Sequence, residues 1–230
     1  MSSADLPLAT LAVSLKNGKS SDFRILECSV DRFDAIFTHM ETMFNFIKYV
    51  AEGKEIKKLQ QFPLSYPRDG LGKSLSKQAI DYHYGKLYKS YVDRFNAGEG
   101  DADFNEAGAF LHAIYFGQFT SPSGSNKPTG ASLEFIENHF KTFDKFKEAT
   151  EKTAMSIQGS GWVYLAKDGK IKTITNHAIK KDILLLIDWW EHSWSLDYQA
   201  DKAKYLNNLW KIVDWNIVNS LLAVDLIKKT

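Results

Sequence analysis

Residues 183–192 read ILLLIDWWEH, an unbroken apolar run from Ile183 to Ile187 that ends on Asp188, two tryptophans, Glu191 and His192. A short uninterrupted run of this kind predicts a strand buried on both faces. It is far short of the ~20 apolar residues that a membrane span requires. An aspartate that terminates such a strand among aromatics is costly unless it pairs or binds a cation. Just upstream, Trp162–Ala166 and Lys170–Asn176 flank Asp168-Gly169 and read as two strands about a tight turn.

Further out the signals become helical. Ser132–His139 and Thr142–Ser156 have helical spacing, as does the last stretch from Tyr205 to Lys229. The segment SPSGSNKPTG at 121–130 is the clearest linker, and it separates this mixed half from an all-helical one. In that half Ser76 caps a long helix through Asn96, AGEGDAD at 97–103 breaks it, and a second helix runs from Asn105 to Phe119. A boundary falls near Gln61. Before it, Leu8–Leu15 and Phe23–Val30 flank an Asn17-Gly18 turn and read as a β-hairpin. Asp31 then caps a helix ending at Gly53, with Phe33, Ile36, Phe37, Met40, Met43, Phe44, Ile47 and Val50 as its core stripe.

The 230 residues carry 29 Lys plus Arg against 28 Asp plus Glu, a net +1. No global field therefore draws the chain to nucleic acid or to an anionic membrane, and neither is expected as a partner. Apolar residues at 44% and aromatics at 13% support a soluble protein with a sizeable core. The lone Cys28 excludes an internal disulfide. The N-terminal stretch shows no clear targeting signal, and a cytoplasmic or other reducing intracellular compartment is the expectation.

Of six histidines, His39, His139 and His177 read as ordinary surface or core residues. The other three have company. His83 and His112 sit near the middles of consecutive helices that a short connection makes antiparallel, so both imidazoles can face one interior. Asp188 and His192 approach from the buried strand. Three imidazoles with one carboxylate suit manganese, iron or zinc and exclude calcium, which prefers oxygen ligands.

Six blocks carry a resemblance: YHYGKLYKSYV at 82–92, FNEAGAFLH at 104–112, KPTG at 127–130, FKTFDKFK at 140–147, QGSGW at 158–162 and DWWEH at 188–192. In this order and spacing the chain from Phe62 to Leu226 resembles the manganese and iron superoxide dismutase family. That implies an α+β fold: a helical-hairpin domain at 62–126, then a C-terminal domain at 127–230 with a three-stranded antiparallel sheet flanked by helices. Residues 1–61 are an extension outside the family. The resemblance also implies metal ligands His83, His112, Asp188 and His192, and one ion per chain that disproportionates superoxide to dioxygen and hydrogen peroxide.

Around the ligands, Tyr91 matches the family's gateway tyrosine, and Gln158 matches the glutamine that hydrogen-bonds the solvent ligand in the manganese type. Iron types place a glutamine four residues before the second ligand, where this chain has Gly108. Manganese is the first expectation and iron the second. Trp162 and Trp190 match walls of the site. Glu191 matches a residue that reaches the ligand histidine of the other subunit, which implies a homodimer through Glu191 and His192. Lys86 and Lys202 fall near positions where the family lines its funnel with cations.

The family's histidine four residues after the first ligand is Leu87 here, its usual cross-subunit tyrosine is Ser195, and a usual tryptophan is Phe116. These departures keep open a structural or binding protein on the same fold. A zinc hydrolase is weaker, because no free carboxylate is placed as a general base.

Overall fold

Ser76 opens the helical part. Its hydroxyl accepts from the Ala79 amide at 3.1 Å, and its own amide donates to Asp197 Oδ2 at 2.7 Å. In the computed structural model, which describes residues 8–17, 20–29 and 58–228, α1 (Lys77–Tyr82) leads into a π-helical segment, His83–Tyr88, and then α2 (Lys89–Ala97). The sequence predicts one regular helix here. The widened turn instead falls on the first candidate ligand, as such segments often do at functional sites.

Gly98, at φ 68°, supplies the left-handed residue that ends α2. Asp101 then caps α3 (Ala102–Gly117) by accepting from the Phe104 amide at 2.9 Å, so α3 starts earlier than the predicted Asn105. Residues 107–116 of α3 are buried on every side. A helix apolar all round belongs in the middle of a fold, and α3 packs against α2, the π segment and the sheet.

In the C-terminal half, α4 (Ala131–Phe140) and α5 (Phe143–Met155) precede β3 (Gly161–Ala166), β4 (Ile171–Thr175) and β5 (Ile183–Asp188). The three strands form an antiparallel sheet in the order β4-β3-β5, with Trp162 opposite both Ile174 and Asp188. Buried β5 is therefore an edge strand. Gln118, just past α3, covers that edge: its Oε1 accepts from the Leu186 amide at 3.0 Å and its Nε2 donates to the Leu186 carbonyl. This side chain does what a fourth strand would do, two residues from Asp188.

Beyond the sheet lie α6 (Glu191–Tyr198), α7 (Lys202–Leu209) and α8 (Trp215–Lys228). The continuous helical spacing read from Tyr205 to Lys229 is interrupted. The backbone at 210–214 turns away to pair with the residues after α3, through Thr120 to Ile212 and Asp214 to Gln118, both at 2.8 Å.

At the other end, β1 (Leu8–Asn17) and β2 (Ser20–Ser29) form the expected hairpin, its antiparallel ladder ending at Asn17 opposite Ser20. The predicted helix from Asp31 to Gly53 lies outside the described residues. The body is the α+β fold that the sequence implies. No helix among the described residues is long and apolar enough to cross a membrane.

Candidate metal centre

Four elements each deliver one side chain to one point. The π segment brings His83, the middle of α3 brings His112, the last residue of β5 brings Asp188, and the first turn of α6 brings His192. One ligand atom from each lies within 4.8 Å of all the others. Asp188 Oδ2 stands 3.2 Å from His83 Nε2, 3.4 Å from His192 Nε2 and 3.8 Å from His112 Nε2. His83, His112 and Asp188 are buried, while the His192 side chain keeps 15% of its surface exposed.

None of these four atoms has a hydrogen-bond partner of acceptable geometry, although all are buried. Four convergent orphans are what a buried polar cluster does not tolerate unless something positive sits among them. Burial, with the neighbouring His192, pushes His83 down to about 4. Burial, with His83, likewise holds His112 well below the usual imidazole range. Burial alone would raise Asp188, but the surrounding histidines hold it below the usual carboxylate range. At neutral pH His83 and His112 are thus neutral imidazoles and Asp188 a carboxylate, the forms that ligate.

Other contacts aim the donors. His112 Nδ1 lies 2.6 Å from the Gly108 carbonyl, so it donates there and leaves Nε2 as the free acceptor. Asp188 Oδ1 accepts from the Trp190 amide at 2.8 Å, which turns Oδ2 toward the histidines. Tyr205 donates to the Asp188 carbonyl at 2.8 Å. Tyr115, Phe116 and Trp162 pack against the imidazoles, with Trp162 5.1 Å from His112.

The chain matches the model of the C-terminal domain of iron/manganese superoxide dismutases over residues 128–221. It is 34% identical over 186 residues to the iron superoxide dismutase of Bacteroides fragilis, spanning 69% of this chain and 96% of that protein. It is 37% identical over 184 residues to a manganese/iron superoxide dismutase of Porphyromonas gingivalis, spanning 68% and 95%. To the iron superoxide dismutase of Saccharolobus solfataricus it is 32% identical over 206 residues, spanning 76% and 98%.

The chain belongs to the iron/manganese superoxide dismutase family.

Around the cluster the structure places the residues singled out from sequence as follows. Gln158 is exposed on the connection between α5 and β3. A polar group that stands beside the cluster is His177, its ring 5.9 Å from that of His112. Trp162 Nε1, which can only donate, bonds His177 Nδ1 at 3.1 Å, so a neutral ring carries its hydrogen on Nε2. That nitrogen lies 3.0 Å from the Tyr91 hydroxyl. The ring also stacks on Trp190 at 4.6 Å and 19°.

A sequence signal for this existed in Asn176, which takes the left-handed φ of 52° that asparagine tolerates and reverses the chain just after β4. The Tyr91 ring lies 5.2 Å from that of His112, and burial raises its hydroxyl to about 12. Lys202 is not a free cation of a funnel: its ammonium lies 4.6 Å over Trp194 and 5.6 Å over Trp189. Lys86 is exposed on the π segment.

Gly108 has a steric role. A Cβ built there would stand 2.8 Å from the Tyr91 ring. Gly108→Ala should therefore destabilise the protein by about 1–3 kcal/mol through overpacking, read by chemical denaturation. An unchanged midpoint would show that Tyr91 gives way freely.

Proposed function

We propose that the protein is a superoxide dismutase that holds one manganese or iron ion on His83, His112, Asp188 and His192. The observation that carries this reading is the set of four buried, convergent ligand atoms without partners. A structural or binding protein on the same fold would have no use for them. Bound there, the ion supplies the one-electron chemistry by which two superoxide anions and two protons become dioxygen and hydrogen peroxide.

The chain's own residues supply geometry and protons. The π segment, α3 and β5 hold three donors rigidly, and the aromatic packing excludes water from all sides but one. On that side His177 offers its Nε2 hydrogen to Tyr91, so the Tyr91 hydroxyl hydrogen is left to point toward arriving substrate. Tyr91 and His177 are thus the residues that hold and pass protons; the sequence reading gave Tyr91 the gateway and gave Gln158 the hydrogen bond to the solvent ligand. With Gln158 exposed, the amide that argued for manganese is gone. Gly108, which cannot supply the glutamine of the iron type, keeps manganese first and iron second.

The homodimer belongs to the same reading. Glu191 is exposed at the first residue of α6, beside His192, and Leu87 and Ser195 are partly buried nearby on the π segment and α6. Light scattering of the intact protein should give twice the chain mass, and Glu191→Ala should shift it toward the monomer. A wild-type monomer would contradict the dimer. The lone Cys28 supports a reducing intracellular compartment, and the family body at 62–126 and 127–230 follows an extension of 61 residues. The test of the activity itself is metal content and superoxide consumption in one sample.

A further inference from the structure

Just before Pro63, residues 59–62 lie as a strap along the helix that carries His83. Leu59 is held by both of its backbone groups: its amide donates to Asn96 Oδ1 at 2.7 Å and its carbonyl accepts from Asn96 Nδ2 at 2.9 Å. Phe62 is held in the same way by two tyrosines of the π segment. Its amide donates to the Tyr88 hydroxyl at 3.3 Å, and its carbonyl accepts from the Tyr84 hydroxyl at 2.6 Å. Next to it, Gln61 Nε2 donates to the Tyr84 carbonyl at 2.7 Å, inside the widened turn. Pro63 favours extended backbone at Phe62, which turns its N–H and C=O to one side as on a strand.

The segment gripped in this way begins with a candidate ligand, His83. A π turn is rare, and nothing in these residues forbids an α turn in its place. Tyr84 and Tyr88 are four residues apart, so on an α-helix of 3.6 residues per turn the second would stand about 40° ahead of the first. The wider turn pulls it back, and one residue of the strap then meets both hydroxyls. The two rings also reach inward: Tyr84 packs on Phe116 at 5.3 Å, and Tyr88 stacks on His112 at 5.8 Å and 15°.

We propose that Tyr84 and Tyr88 are positioning residues: by gripping the strap at Phe62 they keep the π segment wide, and so keep His83 aimed at Asp188. Without the grip the segment tightens toward an α turn and His83 swings out of the donor set. The inference rests on the dismutase reading for the ion, while the grip itself belongs to the chain alone.

The double variant Tyr84→Phe/Tyr88→Phe keeps both rings and removes both hydroxyls. Gln61→Ala loosens the same grip from the strap side without changing a residue of the π segment. In metal-free full-length protein, amide hydrogen exchange over 83–88 should speed up about tenfold in each. In manganese-loaded protein, loss of the ion to EDTA should speed up by about tenfold, and the electron paramagnetic resonance spectrum of the ion should change with the ligand geometry. Asn96→Ala is the control: it frees the strap at Leu59 and should lower the denaturation midpoint, yet leave exchange over 83–88 and the spectrum as in wild type. Exchange, metal loss and spectrum that stay put in the first two variants, or that Asn96→Ala moves as far, would overturn the positioning role and leave the dismutase reading intact. Wild-type protein that takes up neither manganese nor iron would overturn the dismutase reading, and exchange in the metal-free protein would still decide the grip.

Discussion

His83→Ala abolishes metal retention and superoxide consumption together. The imidazole sits at the head of the π segment, buried, with Nε2 3.2 Å from Asp188 Oδ2. Its loss removes one of four donors, which costs more than the ~10–100-fold that loss of an outer partner costs a metal site. It also leaves Asp188 short of a polar neighbour in a buried place. Because alanine opens a cavity in the core, His83→Gln serves as the companion, retaining bulk and polarity while changing the donor. Both variants should purify with little manganese or iron, measured by elemental analysis, with circular dichroism confirming that His83→Gln stays folded. A folded variant with full metal and activity would remove His83 from the ligand set.

His177→Phe keeps the ion and loses activity by ~10–100-fold, the range typical of outer partners of a metal ligand sphere. Phenylalanine preserves the stack on Trp190 but offers neither the acceptor that Trp162 Nε1 uses nor the donor that faces Tyr91. The buried Trp162 N–H then lacks a partner, a cost of about 1–3 kcal/mol in stability. His177→Gln restores an acceptor and a donor on one side chain and should recover much of the activity. The readouts are turnover per bound metal and the reduction potential, which a merely structural residue would not shift. Full turnover per metal in His177→Phe would return the proton role to another group. Gln158→Ala, at an exposed position, should leave turnover unchanged.

The contrast between His177 and Gln158 shows where sequence stops being informative. Three of the four clustered residues were legible because each carries a local mark: Asp188 closes an apolar strand, and His83 and His112 lie on consecutive helices with a break too short for anything but an antiparallel turn. His177 carries only an indirect mark, the turn-forming Asn176 before it. Its place depends on the left-handed turn at Asn176 and on Trp162 across the sheet, a contact set by strand register rather than by neighbouring residues. Gln158 lies beside GSGW along the chain, but its side chain is exposed while Trp162 of that block is buried.

The same limit applies to the fold. Caps at Ser76, Asp101 and Thr142 end or begin helices through local hydrogen bonds, and the sequence places their helices to within a few residues. The π segment is composed of ordinary helix-compatible residues, so periodicity cannot separate it from its flanks. Gln118 and the break at 210–214 answer to β5 and to one another across the fold, and no window of sequence contains both partners.

Metal analysis and a superoxide-consumption assay on the same preparation of full-length protein decide whether this centre works as a dismutase. The expected result is one manganese or iron ion per chain, with activity that scales with metal content and disappears on its removal. Metal-replete protein that consumes no superoxide would contradict it and would make the fold a carrier for some other, non-enzymatic role.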